Sequence, residues 1–211
     1  MPKFIPLFPL DTVVFPHQPL NLHIFEPRYI QMITECMGYN ITFGIPPVIK
    51  KELCEYGTEM KVTELTREYE DGKMDVRTVG VGIFRILEVV RNMPNKLYAA
   101  AVVQEVSYLP YDTDELHPRL AELMDRLHEV TGTGFDWRKK FDKPLSFQVA
   151  QFAALAPEDQ YRLLTNFSER GRQWFLIQHL ERVIPELEAA EQMRKKVKMN
   201  GHFRKLTPPE I

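Results

Sequence analysis

The sequence predicts an α+β fold, in which short strands forming a small barrel or sandwich, with one helix inserted among them, are followed by a group of helices. Three observations predict it. Eight of the 16 prolines lie in the first 50 residues, where each ring removes a backbone donor and excludes long helices. Turn signals recur at short intervals between residues 41 and 108. Helical periodicity begins after Pro110. We therefore predict a β-domain at 1–110 and a helical subdomain with a basic C-terminal tail at 111–211.

The N-terminal segment is apolar as well as rich in proline. Its apolar content argues against a disordered linker, so we predict short strands with proline at their ends or edges. The spacing then becomes helical, because apolar residues recur every three to four positions from Ile30 to Met37. Pro27 suits the first position of a helix and Gly38 suits its end. This pattern predicts one helix at 27–37.

Strand signals return after this helix. A hairpin turn is predicted at Asp71-Gly72, because this dipeptide separates two segments with strand composition. Gly80 and Gly82 in the return strand indicate a bulge or a tight corner. The predicted strands are residues 41–48, 58–70, 74–81, 83–90 and 96–106.

The C-terminal part alternates helices with polar loops. Leucine residues repeat at helical spacing up to a predicted stop at Gly132. Ser146 is predicted to be the N-cap of the next helix, and Pro157 opens another. Pro185 is expected to kink the long last helix. The predicted helices cover residues 116–130, 146–155, a segment opened by Pro157, and 168 to about 197, with a polar loop at 131–143.

Charge and cysteine content narrow the functional classes. The 211 residues carry 27 basic and 29 acidic side chains, a net charge of −2, so no global field attracts nucleic acid or a membrane surface. Cys36 and Cys54 are too far apart for a CxxC pair and are expected to be free thiols. Prolines interrupt the apolar N-terminus, which excludes a signal peptide, and no apolar run is long enough to span a membrane. We expect a cytoplasmic protein.

Motifs for catalysis, cofactors and metals are missing from the sequence. There is no GxxxxGK[ST] phosphate loop, no HExxH and no GxSxG, and the six histidines show no ligand spacing. Glu68, Glu70 and Asp71 are grouped, but a solvated hairpin tip explains them better than a pair of acid and base catalysts. We therefore expect a protein without enzymatic activity, cofactor or metal. A hydrolytic or small-ligand enzyme would need titratable groups that converge in a pocket.

The basic tail is the one candidate for contact with nucleic acid. Six positive charges occur between residues 194 and 205 without an acidic residue among them, and such a cluster can contact phosphates. The simpler interpretation is the solvated end of the last helix, where cations match the helix dipole. The candidate residues for RNA binding are Arg194, Lys195, Lys196 and Lys198.

Aromatic residues stand next to proline at three places near the N-terminus. These are Phe8-Pro9, Phe15-Pro16 and the segment Phe25–Tyr29. Such residues can simply pack in a core, or they can line an apolar groove that accepts an extended peptide. The charged residues of the last segment could orient a ligand or pair with other residues at the helix start. The residues themselves leave both interpretations open.

Taken together, these segments resemble a known family. Ile5–Leu10 (IPLFPL), Val13–Pro16 (VVFP) and Leu20–Tyr29 (LNLHIFEPRY) are similar to the opening of the LON substrate-binding domain. This domain is the N-terminal part of the ATP-dependent protease La (Lon), and it also occurs in standalone proteins and cereblon-type receptors. Gly80–Ile86 stands where the family has Gly-x-x-Arg-Phe-x-Ile, but Ile83 replaces the arginine, so no ligand role of that arginine is carried over. The resemblance covers roughly residues 3–190.

The resemblance implies a PUA-like β-barrel followed by a helical bundle, acting as a recognition module without catalysis. Its partners would be polypeptides, bound as unfolded or extended segments. They would bind in the groove where the β-domain meets the helices, and the protein could act as an adaptor. The chain is expected to end before an ATPase or peptidase domain could begin. The alternative is an RNA-binding PUA-like protein that uses the barrel and the basic tail. The candidate peptide-binding residues are Phe15, Pro16, Phe25, Glu26, Arg28, Tyr29 and Phe84.

Overall fold

The computed structural model describes residues 2–108, 115–132 and 145–201, with side chains as far as residue 197. The strands are β1 Pro2–Pro6, β2 Pro19–Ile24, β3 Phe43–Ile45, β4 Val48–Ile49, β5 Glu52–Leu53, β6 Tyr56–Glu68, β7 Met74–Val90 and β8 Ala100–Val106. The helices are α1 Pro27–Tyr39, α2 His117–Thr131, α3 Leu145–Ala150, α4 Pro157–Leu164 and α5 Glu169–Gly201. The predicted mixture of strands and helices is confirmed.

A six-stranded antiparallel sheet forms the first part of the structure. Its strands lie in the order β1-β8-β7-β6-β3, and β2 pairs with β7 outside this order. The strand β6 covers one side of β7 over residues 74–85. On the other side, β2 pairs with residues 74–79 and β8 with residues 83–90. The short strands β4 and β5 form a separate hairpin.

The strand β7 is a single long strand, whereas the sequence predicted two strands at 74–81 and 83–90. The predicted bulge is present, because Gly82 pairs with Glu59 while Gly80 pairs with Met60, which leaves Val81 unpaired with β6. A bulge bends a strand and increases its twist without ending it. The glycines therefore mark a bend inside one strand, and the predicted hairpin at Asp71-Gly72 joins β6 to β7.

The predicted barrel is not closed. Among the described residues the sheet runs from β1 at one end to β3 at the other, and these two end strands do not pair to close it. Two isolated parallel bridges, Leu7 with Gly44 and Leu10 with Pro47, connect the segment after β1 to the region of β3. The strand predicted at 41–48 is reduced to β3, which two prolines follow directly. The confirmed description is a mixed α/β fold with an antiparallel sheet.

Helix α1 begins at Pro27, as the sequence predicts, but it ends two residues later than expected. The predicted stop, Gly38, lies inside the helix, and Asn40 caps the C-terminus with φ of 50°. Asparagine tolerates this left-handed conformation, and its backbone N–H bonds to the carbonyls of Cys36 and Met37. The cap is thus an asparagine where a glycine was expected.

A hydrogen-bonded carboxylate fixes α1 to the segment before β8. Lys96 Nζ donates to Glu35 Oε2 at 2.6 Å, and the Tyr98 hydroxyl donates to the same oxygen at 2.5 Å. Burial alone would raise the pKa of Glu35, but the hydrogen bonds from Lys96 and Tyr98 outweigh it and leave the pKa below its ordinary value. The ionised form of Glu35 therefore contributes to stability.

We expect this contribution to disappear in acid. Because the folded-state pKa of Glu35 is lowered, its stabilisation is present above the ordinary pKa of 4.5 and is lost as the pH falls through the lower folded-state value. Glu35→Gln should therefore reduce stability at pH about 7, and the difference from the wild type should shrink towards pH about 3. Urea unfolding over this pH range measures the difference. Glu64→Gln, which breaks an exposed pair with Arg77, serves as the control and should change little at any pH.

The helices differ from prediction mainly around α3. Helix α2 ends at Gly132, as predicted, with φ of 62°. Ser146 was predicted to be an N-cap, but it lies inside α3, where it is buried and its hydroxyl donates to Glu169 Oε2 at 2.6 Å. The Ser146 hydroxyl therefore bonds to a buried side chain of another helix and does not cap α3. Most of the loop predicted at 131–143 lies outside the described residues.

One hydrophobic cluster connects the sheet with the helices. Phe15, which precedes β2, stacks on Phe147 of α3 with 5.6 Å between ring centroids. The backbone N–H of Tyr56 in β6 donates to the hydroxyl of Tyr161 in α4 at 3.1 Å. Helices α2 and α3 contact α5, but the predicted helical bundle is not confirmed. The domain division near residue 110 stays a prediction, and the two parts share this cluster.

Candidate functional site

Three of the seven predicted peptide-binding residues lie in the core. Phe15, Pro16 and Phe84 are buried, and the side chains of Phe15 and Phe84 are at most 1% exposed. Phe84 fills the space beside Gly44 and Gly57, where an added Cβ atom would lie within 2.7 Å of its ring. These three residues can support a binding surface, but they offer no surface to a ligand in this conformation.

The other four residues lie together where β2 passes into α1. Phe25 is 58% exposed. Arg28 Nη2 lies 2.7 Å from Glu26 Oε2, and the Arg28 guanidinium lies 4.4 Å from the centroid of the Tyr29 ring. Tyr29 in turn packs edge-on against Phe8, with 4.2 Å between centroids. The largely exposed Phe25 ring therefore lies beside a charged pair, and the arginine of this pair contacts a tyrosine that is packed against Phe8.

Residues that the sequence analysis did not select extend this surface. The His23 ring stacks on Phe25 at 6.0 Å and contacts the edge of Tyr69 at 5.8 Å. Asp75 accepts a hydrogen bond from the Tyr69 hydroxyl at 2.8 Å and lies 2.6 Å from His23 Nδ1. We call Phe25, His23 and Tyr69 the aromatic row. The hydrogen bond from His23, and to a lesser degree the one from Tyr69, holds the pKa of Asp75 below its ordinary value. Through these two contacts the Asp75 carboxylate fixes two of the three rings.

The strand that directly precedes Phe25, β2, has an edge without a partner strand among the described residues. Among the described residues, β2 pairs with β7 alone. Gly80 N–H donates to the Gln18 carbonyl at 3.1 Å, and hydrogen-bonded pairs alternate along an antiparallel ladder. This alternation directs the backbone groups of Leu20, Leu22 and Ile24 to β7, and those of Asn21 and His23 away from the sheet. The outer edge of β2 therefore offers two residues with free backbone donors and acceptors.

Two hollows lie near these elements. A hollow of about 390 Å³ opens on the sheet face beside the β2 edge and is lined by Asn21, Leu22, His23, Thr66, Asp75, Val76 and Arg77. A hollow of about 490 Å³ lies where the sheet region meets α4 and is lined by Asp11, Val48, Ile49, Lys50, Lys51, Pro157 and Glu158. The second lies near the junction of strands and helices where the sequence predicts a peptide-binding groove, but none of the seven predicted residues lines it.

No group of three or more His, Cys, Asp or Glu side chains is placed to hold a metal ion within the described residues. The hollow beside α4 contains an ion pair of 3.1 Å between Lys50 Nζ and Glu158 Oε1, and no histidine, cysteine or serine lines it. The described helices also include none that is long and apolar enough to cross a membrane.

Two of the four candidate RNA-binding residues, Arg194 and Lys195, lie near acidic side chains. Arg194 Nη1 lies 3.7 Å from Glu191 Oε2. Lys195 lines a hollow together with Glu129, Glu188 and Glu191. Lys196 is exposed, and the side chain of Lys198 lies outside the described part. The described surface around these residues therefore lacks the continuous positive charge that favours phosphate binding.

Comparison with known proteins gives a consistent result. The family described as the ATP-dependent protease La (LON) substrate-binding domain matches residues 5–182. A Lon N-terminal domain protein from Xanthomonas campestris has a similar structure, with a TM-score of 0.63, 22% sequence identity, and coverage of 83% of this chain and 97% of that one. The N-terminal domain of the Mycobacterium avium complex Lon protease gives a TM-score of 0.65 at 17% identity, over 85% and 98% of the two chains. At these identities the two structures show a shared fold.

Proposed function

We propose that this chain, which belongs to the ATP-dependent protease La (LON) substrate-binding domain family, recognises extended polypeptide segments at the outer edge of β2. The family match over residues 5–182 supports a role in substrate recognition. The place of binding is the new part of the proposal. The observation that carries it is an unpaired strand edge that ends in an exposed phenylalanine.

An extended segment can satisfy the free backbone groups of β2 by adding a strand to the sheet. Natural proteins usually protect exposed edges with charged residues, proline or a covering element. One of the two end strands of the sheet, β1, has proline at both ends and Lys3 between them, whereas β2 contains one proline, at its first position, and no Lys, Arg, Asp or Glu. The β2 edge is thus open to pairing, while the β1 edge is protected.

Phe25 would supply the main apolar contact next to these backbone bonds. Burial of roughly 100 Å² of its ring contributes about 2.5 kcal/mol, and each backbone hydrogen bond contributes about 1 kcal/mol net. The cost of ordering an unfolded segment offsets much of this gain. We therefore expect dissociation constants in the micromolar to millimolar range, with modest dependence on the ligand sequence.

Glu26, Arg28 and Tyr29 would act beside Phe25 in this proposal. Their mutual contacts hold the Glu26 carboxylate and the Arg28 guanidinium at the helix start, within reach of a segment that passes over Phe25. An adaptor role, in which the bound segment is handed to a separate protease, extends the same proposal. It is supported by the family, which is named for the substrate-binding domain of a protease.

Phe25→Ala should weaken binding of an extended peptide by about 5- to 30-fold, equivalent to about 1–2 kcal/mol, because it removes the apolar contact at the end of the edge. The peptide should be labelled, unstructured and rich in apolar residues, and binding can be followed by fluorescence anisotropy. The free energy of unfolding should change by less than about 0.5 kcal/mol, since the ring is largely exposed.

Phe4→Ala provides a matched control. Phe4 is 50% exposed and lies on the protected edge strand β1, so its removal should leave the affinity unchanged. Equal loss of affinity in the two variants would contradict a specific role of the β2 edge. Absence of wild-type binding at millimolar peptide would contradict the proposed function as a whole.

A further inference from the structure

We propose that the β2 edge selects extended segments in which a basic residue stands beside an apolar one. This inference rests on the proposed function and names the class of polypeptide that the same surface favours. It is carried by the arrangement of charges at the tip of the β6–β7 hairpin, which lies at the Phe25 end of β2.

The strand register places this tip next to the edge. Ile24 of β2 pairs with Met74 of β7, and Met74 pairs with Glu68 of β6, so the three residues form one row across the sheet. Two strand spacings separate Ile24 from Glu68, a distance of about 10 Å. The contact between the rings of His23 and Tyr69 joins the two sides of this row. A segment paired with β2 would therefore pass the hairpin tip as it leaves Phe25.

The tip carries surplus negative charge. Asp71 is paired with Lys73, with 2.6 Å between Oδ2 and Nζ. Arg67 lies 4.5 Å from the centroid of the Tyr69 ring. Glu68 and Glu70 are exposed, and neither forms an ion pair with another described residue. The acidic residues of this end therefore outnumber the basic ones.

This charge distribution complements a lysine or arginine in the bound segment. The long side chains of lysine and arginine can cross part of the distance to the glutamates while their methylene groups lie on aromatic rings. Exposed charges at about 10 Å attract weakly in water and are screened at physiological salt. The expected selectivity is therefore a few-fold preference that depends on salt, and apolar burial remains the main source of affinity.

The hollow beside the β2 edge fits the same class of ligand. Its lining includes Asn21, Thr66 and Asp75, which offer hydrogen-bond acceptors to a cationic side chain that turns towards the sheet face. Arg77, the basic residue of this lining, is already paired with Glu64 at 2.7 Å. Both the hairpin tip and the adjacent face thus favour a cation over an anion.

Two labelled peptides of about nine residues test the inference. Both carry the same apolar centre, flanked by lysines in one and by glutamates in the other. The wild-type chain should bind the lysine peptide about 3- to 10-fold more tightly at low salt, and the difference should fall at about 0.5 M salt. The double variant E68K/E70K should abolish or reverse the preference, because it inverts the charge of the tip.

The double variant E88K/E105K is the matched control. Glu88 and Glu105 are exposed glutamates on the second half of β7 and on β8. Neither forms an ion pair within the described part of the chain, and their replacement changes the net charge equally. The preference should survive in this variant. Equal affinity of the wild type for both peptides, or equal loss of preference in the two double variants, would overturn the inference while leaving the proposed function intact. Failure of both peptides to bind would overturn the proposed function itself.

Discussion

Arg172→Met is expected to lower the free energy of unfolding by about 3–5 kcal/mol, because it leaves a buried carboxylate without its partner. Arg172 Nη2 lies 2.7 Å from Glu169 Oε2, and the two side chains are 0% and 3% exposed. Removal of one member of a buried pair is costly, since the remaining charge loses both water and its counter-ion.

Other contacts of Arg172 add to this effect. Its Nε donates to Ser146 Oγ at 2.7 Å, and its Nη1 donates to the Asn166 carbonyl at 2.8 Å. Its guanidinium also lies 4.1 Å from the centroid of the Phe147 ring. The arginine therefore holds α3 and the segment before α5 in place, and its loss should also loosen the cluster that connects the helices to the sheet.

Helix α5 itself provides a matched control. Arg194 is three residues after Glu191, the same spacing as in the buried pair, but its side chain is 68% exposed. Arg194→Met should therefore change stability by less than about 0.5 kcal/mol. Urea unfolding of both variants gives the comparison, and similar losses in the two would contradict the role assigned to burial.

Gly80→Ala is the second substitution with a large expected effect. It should lower the free energy of unfolding by about 3 kcal/mol. A Cβ atom at this position would lie 2.4 Å from the carbonyl oxygen of Phe15. The obstacle is backbone, so no side-chain rotation can relieve it, and such overpacking typically costs about 1–3 kcal/mol or more. Gly80 is also held in place, because its N–H donates to Gln18 and its carbonyl accepts from His17.

Gly82→Ala, two residues further along β7, is the control for this prediction. A Cβ atom there would meet nothing closer than Glu59 Oε2 at 3.9 Å. Alanine should be tolerated within about 1 kcal/mol, since it also restricts the unfolded chain. Thermal and urea unfolding measure both variants. Equal stability of the two would show that the approach of Phe15 to Gly80 is not a constraint.

The effect of Gly80→Ala should reach the binding surface. The bonds of Gly80 to His17 and Gln18 fix the chain just before β2, and displacement of this segment would shift the edge on which Phe25 stands. Peptide affinity should therefore fall in the folded fraction of Gly80→Ala and stay unchanged in Gly82→Ala. A fall in both variants would indicate that the edge is sensitive to any change in β7.

Features with local causes could be predicted from the sequence. Pro27 begins α1 because its fixed φ and missing N–H suit the first turn. Asp71-Gly72 joins β6 to β7 because Gly72, with φ of 83°, adopts the positive φ that the turn requires. The bulge at Val81 follows from glycine on both sides. The order of aromatic and proline residues near the N-terminus was specific enough to indicate the family.

The exposure of each aromatic residue could not be predicted in the same way. Phe15, Phe84 and Phe25 each follow a β-branched apolar residue in the sequence, yet two are buried and one is exposed. Asp75 reaches His23 only because β2 and β7 pair in one register across 52 residues. No local pattern encodes that register, because it depends on how distant segments bury their apolar faces together.

The sequence by itself determined the kinds of element, their main turns and the family, since backbone preferences at proline, glycine and asparagine act within a few residues. Only the tertiary structure decided that one edge of β2 has no partner strand among the described residues and that Phe25 is largely exposed at its end. It also decided that Phe15, Pro16 and Phe84 fill the core. The physical reason is that β7 has only two sides along which other strands can pair. Which strands occupy them, and which side chains are buried as a result, depends on how distant segments of the chain pack together.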